Sequence, residues 1–309
     1  MRNAFAKEIT ALAQQDSRIV FLSGDIGNKL FDSYKEKCGS RFFNCGIAEA
    51  NMIGVASGLA LSGLRPIAYT ITPFITTRVM EQIRIDLCYH KAPVIFAGVG
   101  SGLGYASLGP THHSCEDIAM LRSLPGLTIF TPADAEEVKG CLRAALSHNG
   151  PVYIRLGKKG EQVVHETTPD IQVGKSLVIK DGENVCLIAV GVLLPMALKI
   201  AEKLKENNVS VQVVSAVCVK PLDIDLIKNS LESFSLVATL EEHSLIGGFG
   251  SSVAEWLVDQ EDREKYASLL RFGTRDEFLH EAGETEHAHQ YFGLDVNTIS
   301  DKILKRINK

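Results

Sequence analysis

The 309-residue chain has one Trp, only 7% aromatic residues and no CxxC pair among its seven cysteines. Without paired cysteine spacings, neither a disulfide framework nor a structural zinc site is indicated. Cys38, Cys45, Cys88, Cys115, Cys141, Cys186 and Cys218 read instead as reduced thiols of a cytoplasmic protein, mostly small buried hydrophobes. No apolar run approaches the roughly 20 residues that a bilayer span needs. The opening stretch RNAFAKEITALAQQ is charged and amphipathic and lacks the apolar core of a signal peptide. Neither sign of charge is in large excess: 32 Lys and Arg stand against 37 Asp and Glu, a net of −5. That balance provides no electrostatic footprint for nucleic acid or an anionic membrane. Low-complexity tracts and short-period repeats are missing as well.

What is present is a globular composition, 45% hydrophobic and 22% charged, over a length that suggests two domains. Short apolar runs at 18–23, 65–70, 93–99, 127–131 and 151–156 read as strands. Between them, 48–62, 76–90, 116–123 and 134–148 read as helices. A second series has strands at 185–190, 209–217, 235–240 and 268–273, with helices at 192–207, 223–232 and 250–259. Such alternation predicts parallel βαβ units covered on both faces. The polar, strand-poor stretch near 158–175 separates the series. The predicted fold is therefore α/β: two tandem domains with mostly parallel sheets flanked by helices. The domains are assigned to 1–165 and 181–309, with a linker at 166–180.

Three stretches could carry chemistry. AGVGSGLG at 97–104 follows a strand, and its glycines permit close backbone approach. They alternate, however, and do not form the GxGxxG that opens a helix in dinucleotide sites; no Walker lysine pattern is present either. A glycine-rich active-site loop or a plain connection fits better. GPTHHSCED at 109–117 brings His112, His113, Cys115 and Glu116 together without metal-ligand spacing. A histidine there could reach a cleft as a proton-transfer group, or be satisfied by loop backbone. His243 and the HAH at 287–289 default to surface or interface positions. No GxSxG elbow supports a hydrolase, and Cys45 and Cys115 show no sign of activation.

The third stretch, FFNCGIAEANMIG at 42–54, sets Glu49 among small and apolar neighbours. An ionised carboxylate costs several kcal/mol to bury unless it is paired. Held there, it could share a proton with a ligand nitrogen. Equally, it could serve as a favourable negative charge at a helix N-terminus.

Together, FNCGIAEANMIGVASGLALSGLRPIAYTITPF, MEQIR, GPTHHSCEDIAMLRSLPGLTIFTPAD and GPVYIRLGK resemble the pyrimidine-binding domain of thiamine diphosphate enzymes. More narrowly, the chain resembles the C-terminal half of transketolase as found in split, two-subunit transketolases. TLEEHSLIGGFGSSVAEWL resembles the C-terminal domain that these share with deoxyxylulose-phosphate synthases and 2-oxo acid dehydrogenase β subunits. The resemblance implies that Glu49 hydrogen-bonds N1′ of the cofactor's aminopyrimidine and so favours loss of the thiazolium C2 proton. It places Phe74 against the pyrimidine, with Ile71 at a second pocket position where transketolases usually have Phe. Asp25 and Ile26 match a pair beside the cofactor. His112 corresponds to a histidine facing the substrate carbonyl and hydroxyls. Arg2, Lys158 and Lys29 correspond to cationic contacts of a sugar phosphate.

Departures from the family pattern narrow the expectation. Transketolases acting on sugar phosphates usually carry His at the position of Gly100 and Asp at that of Leu108. The resemblance thus implies ketol transfer involving a nucleotide-linked, branched or deoxy sugar. The family's GDG motif, followed by Asn for diphosphate and Mg²⁺, is also missing; SGDIGN at 23–28 and KDGEN at 180–184 are near misses without its spacing. The Mg²⁺ and diphosphate half is expected on an N-terminal transketolase subunit carrying GDG, in an α2β2 assembly. The alternatives are a 2-oxo acid dehydrogenase E1 β-type subunit, a deoxyxylulose-phosphate synthase-type subunit and a non-catalytic interaction subunit.

Overall fold

A computed structural model describes residues 1–27 and 29–308. Asn28, which ends the SGDIGN segment, and Lys309 lie outside the described residues. Strands β1 (Ile19–Ser23), β2 (Phe42–Asn44), β3 (Arg65–Ile71), β4 (Ile95–Val99), β5 (Thr128–Phe130) and β6 (Val152–Leu156) belong to a first sheet. Strands β7 (Leu177–Lys180), β8 (Val185–Ala189) and β9 (Val211–Ser215) belong to a second. The short β10 (Cys218–Lys220) returns to the first sheet, and β11 (Leu236–Ser244) and β12 (Ser268–Thr274) complete the second. The seven-stranded order is β10-β5-β6-β4-β3-β1-β2, and the five-stranded order is β12-β11-β8-β9-β7. All pairings are parallel except those of the edge strands β10 and β7.

These strands form because their side chains are apolar on both faces, as a sheet covered by helices requires. Along β1, Val20 and Leu22 enter one core while Ile19 and Phe21 enter the core on the opposite face. The first of these cores runs without a break into the second half, taking in Ile188, Val237 and Phe249. The helix Ala135–Ser147 starts where Asp134 accepts the N–H groups of Glu136 and Glu137, each at 2.9 Å. The helix Leu194–Lys205 opens with Pro195, which pre-sets the first turn, and ends with Lys203 and Lys205 beside its negative pole.

The structure departs from the sequence reading in several places. The expected 76–90 helix is present but irregular: a tight turn at Thr77–Val79 passes through Met80–Gln82 into a wide π-helical stretch at Ile83–Tyr89, and a break at Thr76 separates it from the short helix Thr72–Ile75. At the break, the Thr76 hydroxyl donates to the Thr72 carbonyl at 2.7 Å, and the Thr76 backbone leaves the helical region. Residues 177–180, assigned to the linker, form the edge strand β7. The 209–217 run ends early, because the chain crosses to pair β10 with β5. Residues of the second half thus complete the first sheet.

Candidate functional site

Glu49 is the first residue of the helix Glu49–Leu61, whose Met52, Ile53, Ala56 and Ala60 lie in the core. It sits in the first turn, where a negative charge is favourable, and its side chain is only 4% exposed. Its partner is Arg78, whose Nη1 donates to Glu49 Oε2 at 2.9 Å. The same guanidinium lies over Phe74, with its carbon 4.1 Å from the ring centroid. The break at Thr76 allows this, because it folds Arg78 back over the preceding turn. Sequence reasoning missed Arg78, because its contact with Phe74 depends on the break at Thr76.

From Phe74 a row of ring contacts continues. Phe74 and His112 rings meet edge to face at 5.4 Å, and His112 and Tyr105 at 5.9 Å. Lys158 Nζ lies 4.6 Å from the Tyr105 ring centroid. Burial raises the pKa of the Tyr105 phenol, and the charge of Arg2 opposes that rise. Three expected residues, Phe74, His112 and Lys158, therefore converge through one that was not expected, Tyr105, and the charge of Arg2 is felt at the same phenol. Gly100 joins them with φ +72°, and a Cβ at that position would fall inside the Tyr105 ring. The space of the missing side chain is filled by Tyr105. Leu108 is exposed and ends the turn Ala106–Leu108 just before GPTH.

The other expected residues sit around this row. Ile71 ends β3 and leads into the turn that carries Phe74. Asp25 is exposed and accepts from Asn44 Nδ2 at 3.0 Å, while Ile26 packs partly against the core. Lys29 lines a different groove with Lys7, Ser33 and Lys37. No described contact joins Lys29 to the row. Beyond Lys158 lies a cavity of about 410 Å³ between the two halves, lined also by Ser101, Lys159, Lys199 and His289.

The loop carrying His112 is pinned by long-range bonds. Gly102 and Ser114 exchange backbone hydrogen bonds of 3.0 and 2.8 Å. The Leu103 N–H donates to Glu242 Oε2 at 2.9 Å, and Glu242 also pairs with His289. Arg155, 3% exposed, donates to Asp117 at 2.8 Å and to the carbonyls of Ser114 and Glu242, both at 3.0 Å. Contrary to the surface assignment, His243 is fully buried. Its Nε2 accepts the Ala119 N–H at 3.1 Å, and burial pushes its ionisation down to about 4. His289 is likewise held inward by Glu242. All seven cysteines are free thiols, six of them buried and Cys45 half-buried. Among the described residues, no group of three or more His, Cys, Asp or Glu could hold a metal ion. Nor is any described helix long and apolar enough to cross a membrane.

Comparison with known sequences resolves the family. The transketolase pyrimidine-binding domain matches residues 1–161, and the transketolase C-terminal domain matches 174–299. The chain belongs to the transketolase family. A 6-deoxy-6-sulfo-D-fructose transketolase subunit of Clostridium sp. is 32% identical over 97% of this chain and 92% of its own. An apulose-4-phosphate transketolase subunit from Phocaeicola vulgatus is 31% identical over 100% of this chain and 97% of its own. Among solved structures, a split-gene transketolase described as an inactive β4 tetramer is 33% identical. It superposes with a TM-score of 0.88 and covers 99% of this chain and 97% of its own. These matches extend along nearly the whole length of subunit-sized transketolases.

Proposed function

We propose that this chain is the pyrimidine-binding subunit of a heteromeric transketolase, which moves a two-carbon ketol unit from a ketose to an aldehyde with thiamine diphosphate. The observation that carries this reading is the pairing of a buried carboxylate, Glu49, with the aromatic face of Phe74 across one planar cation. An aminopyrimidine is also planar, and its N1′ can meet the carboxylate through one shared proton, so these residues fit the thiamine pyrimidine. When bound, thiamine diphosphate supplies the carbon nucleophile that carries the two-carbon unit. Glu49 then holds a proton at N1′ in a site with little water. His112 exchanges protons with the substrate's carbonyl and hydroxyl oxygens. Lys158 and Arg2 hold an anionic group of the sugar. Asp25, Ile26 and Ile71 frame the cofactor side, and Lys29 is a remote phosphate contact.

The residues that hold diphosphate and Mg²⁺ are assigned to a partner subunit with a GDG motif, in an α2β2 complex. Supporting this, β2, the loop after it and the helix that begins at Glu49 expose Phe43, Ile47 and Val55 in turn, with Ile47 86% accessible. Ile47→Asp should leave the lone chain's stability within about 0.5 kcal/mol of wild type. It should weaken association with the partner at least about tenfold, since a charge would be buried unpaired. Sedimentation of the mixed subunits reads both. The reconstitution test is direct: together the two chains should bind thiamine diphosphate tightly with Mg²⁺ and transfer ketol units, and neither should alone. Tight Mg²⁺-dependent binding by the isolated chain would overturn the shared-site assignment.

The substrate assigned is a non-standard sugar, branched, deoxy or nucleotide-linked. Tyr105 occupies the space in which a side chain at position 100 would read donor hydroxyls. Two similar proteins are named for acting on a sulfonated deoxyketose and on apulose 4-phosphate. Efficient turnover of xylulose 5-phosphate with ribose 5-phosphate would refute this part. Gly100→His should destabilise the chain by about 1–3 kcal/mol from backbone strain alone, with ring overlap added. Adding Tyr105→Ala should recover only the overlap, which a shift in urea midpoint would measure.

A further inference from the structure

We propose that Arg78 is a resident stand-in for the cofactor's pyrimidine, occupying its seat until the cofactor displaces it. The inference rests on the reading of Glu49 and Phe74 as pyrimidine contacts. Two independent distances carry it. The guanidinium hydrogen-bonds Glu49 at 2.9 Å and stacks on Phe74 at 4.1 Å, and these are the two partners an aminopyrimidine needs there. Guanidinium and an aminopyrimidine protonated at N1′ are both flat cations with an N–H on one edge, so either satisfies the same carboxylate and the same ring face.

The arrangement has a physical cause. Glu49 is almost fully enclosed, and a carboxylate left there without a partner would be costly. Arg78 removes that cost while its own side chain remains 48% exposed. One face of Arg78 is thus wetted, and it can leave without any core residue moving. Arg78 sits in the turn Thr77–Val79, directly after the break at Thr76, and rotation of its side chain alone can unseat the guanidinium. Cofactor affinity is then reduced by the fraction of molecules in which Arg78 is seated. The device keeps a buried charge satisfied before the subunits and cofactor come together.

The test uses the full chain and thiamine, which carries the aminopyrimidine but no diphosphate, in NMR titrations. Arg78→Ala should bind thiamine about tenfold more tightly than wild type, which corresponds to an open fraction of roughly one tenth. Arg78→Gln, which keeps a polar side chain if the alanine variant folds poorly, should give a gain in the same direction. Adding Glu49→Gln to either variant should abolish the gain. Binding that Glu49→Gln weakens but Arg78→Ala leaves unchanged or lowers would overturn the stand-in and spare the cofactor reading. Binding insensitive to Glu49→Gln, or none in any variant, would overturn both.

Discussion

Glu49→Gln is expected to lower turnover of the reconstituted complex by about 10²–10⁴, the range typical of losing a positioned acid–base group. The amide has nearly the same shape and fits the same enclosed position. It cannot accept and hold a proton as the carboxylate does, so the loss falls on the chemical step. Assembly and stability should barely change. The ion pair removed has a half-exposed Arg78 at one end, and such pairs contribute at most about 1 kcal/mol. Glu49→Asp keeps the acid but retracts it by one methylene, so its activity should fall between the two. Steady-state kinetics with sedimentation on the same samples separates chemistry from assembly. A Gln variant retaining more than about a tenth of wild-type turnover would remove Glu49 from the catalytic role, since that is below the acid–base range.

The second large effect is on stability. Arg155→Met should cost about 3–5 kcal/mol, because it strands a buried charge. Asp117 is fully buried and would lose its 2.8 Å partner; only the Tyr153 hydroxyl, also at 2.8 Å, would remain. Its other oxygen already has no hydrogen-bond partner in the structure. The carbonyls of Ser114 and Glu242 would lose a donor as well. Burial works against the charge on Arg155, but the neighbouring Asp117 more than offsets it, so the guanidinium stays protonated. In a chain whose total stability is of order 5–15 kcal/mol, such a loss is severe. Removing both charges, with Asp117→Leu beside Arg155→Met, should recover much of it. A urea midpoint that moves less than about 1 kcal/mol in the single variant would show that water or a shifted side chain satisfies Asp117. The variant should also impair catalysis, because Arg155 ties the His112 loop to the second half.

Much of the architecture was legible because its signals are local. The runs IVFLS, PVIFAGV and VCLIAV are apolar on both faces, and only a covered parallel sheet accommodates that pattern. Helices such as Ala135–Ser147 announce themselves by periodicity and by a capping aspartate. The strands that went unread, β2, β7 and β10, are three or four residues long and lie at sheet edges, where one partner suffices and patterning is weak. The helices Thr285–Phe292 and Val296–Ile307 were not anticipated either, and they cover the second sheet near the chain's end. His243 was misplaced for a related reason. A histidine's burial depends on which backbone groups meet its two nitrogens, and Ala119 is 124 residues away.

The sequence by itself determined the two-part α/β architecture and the presence of an acid, Glu49, in an apolar wall, because spacing and hydrophobicity act between near neighbours. Only the tertiary structure decided what that acid faces. Arg78 reaches Glu49 from 29 residues away through a broken helix, and Tyr105 fills the space above Gly100. Arg155 joins a loop of the first half to a strand of the second, 87 residues beyond Arg155 itself. Such contacts follow from where strands cross and chains turn, and no local periodicity encodes them.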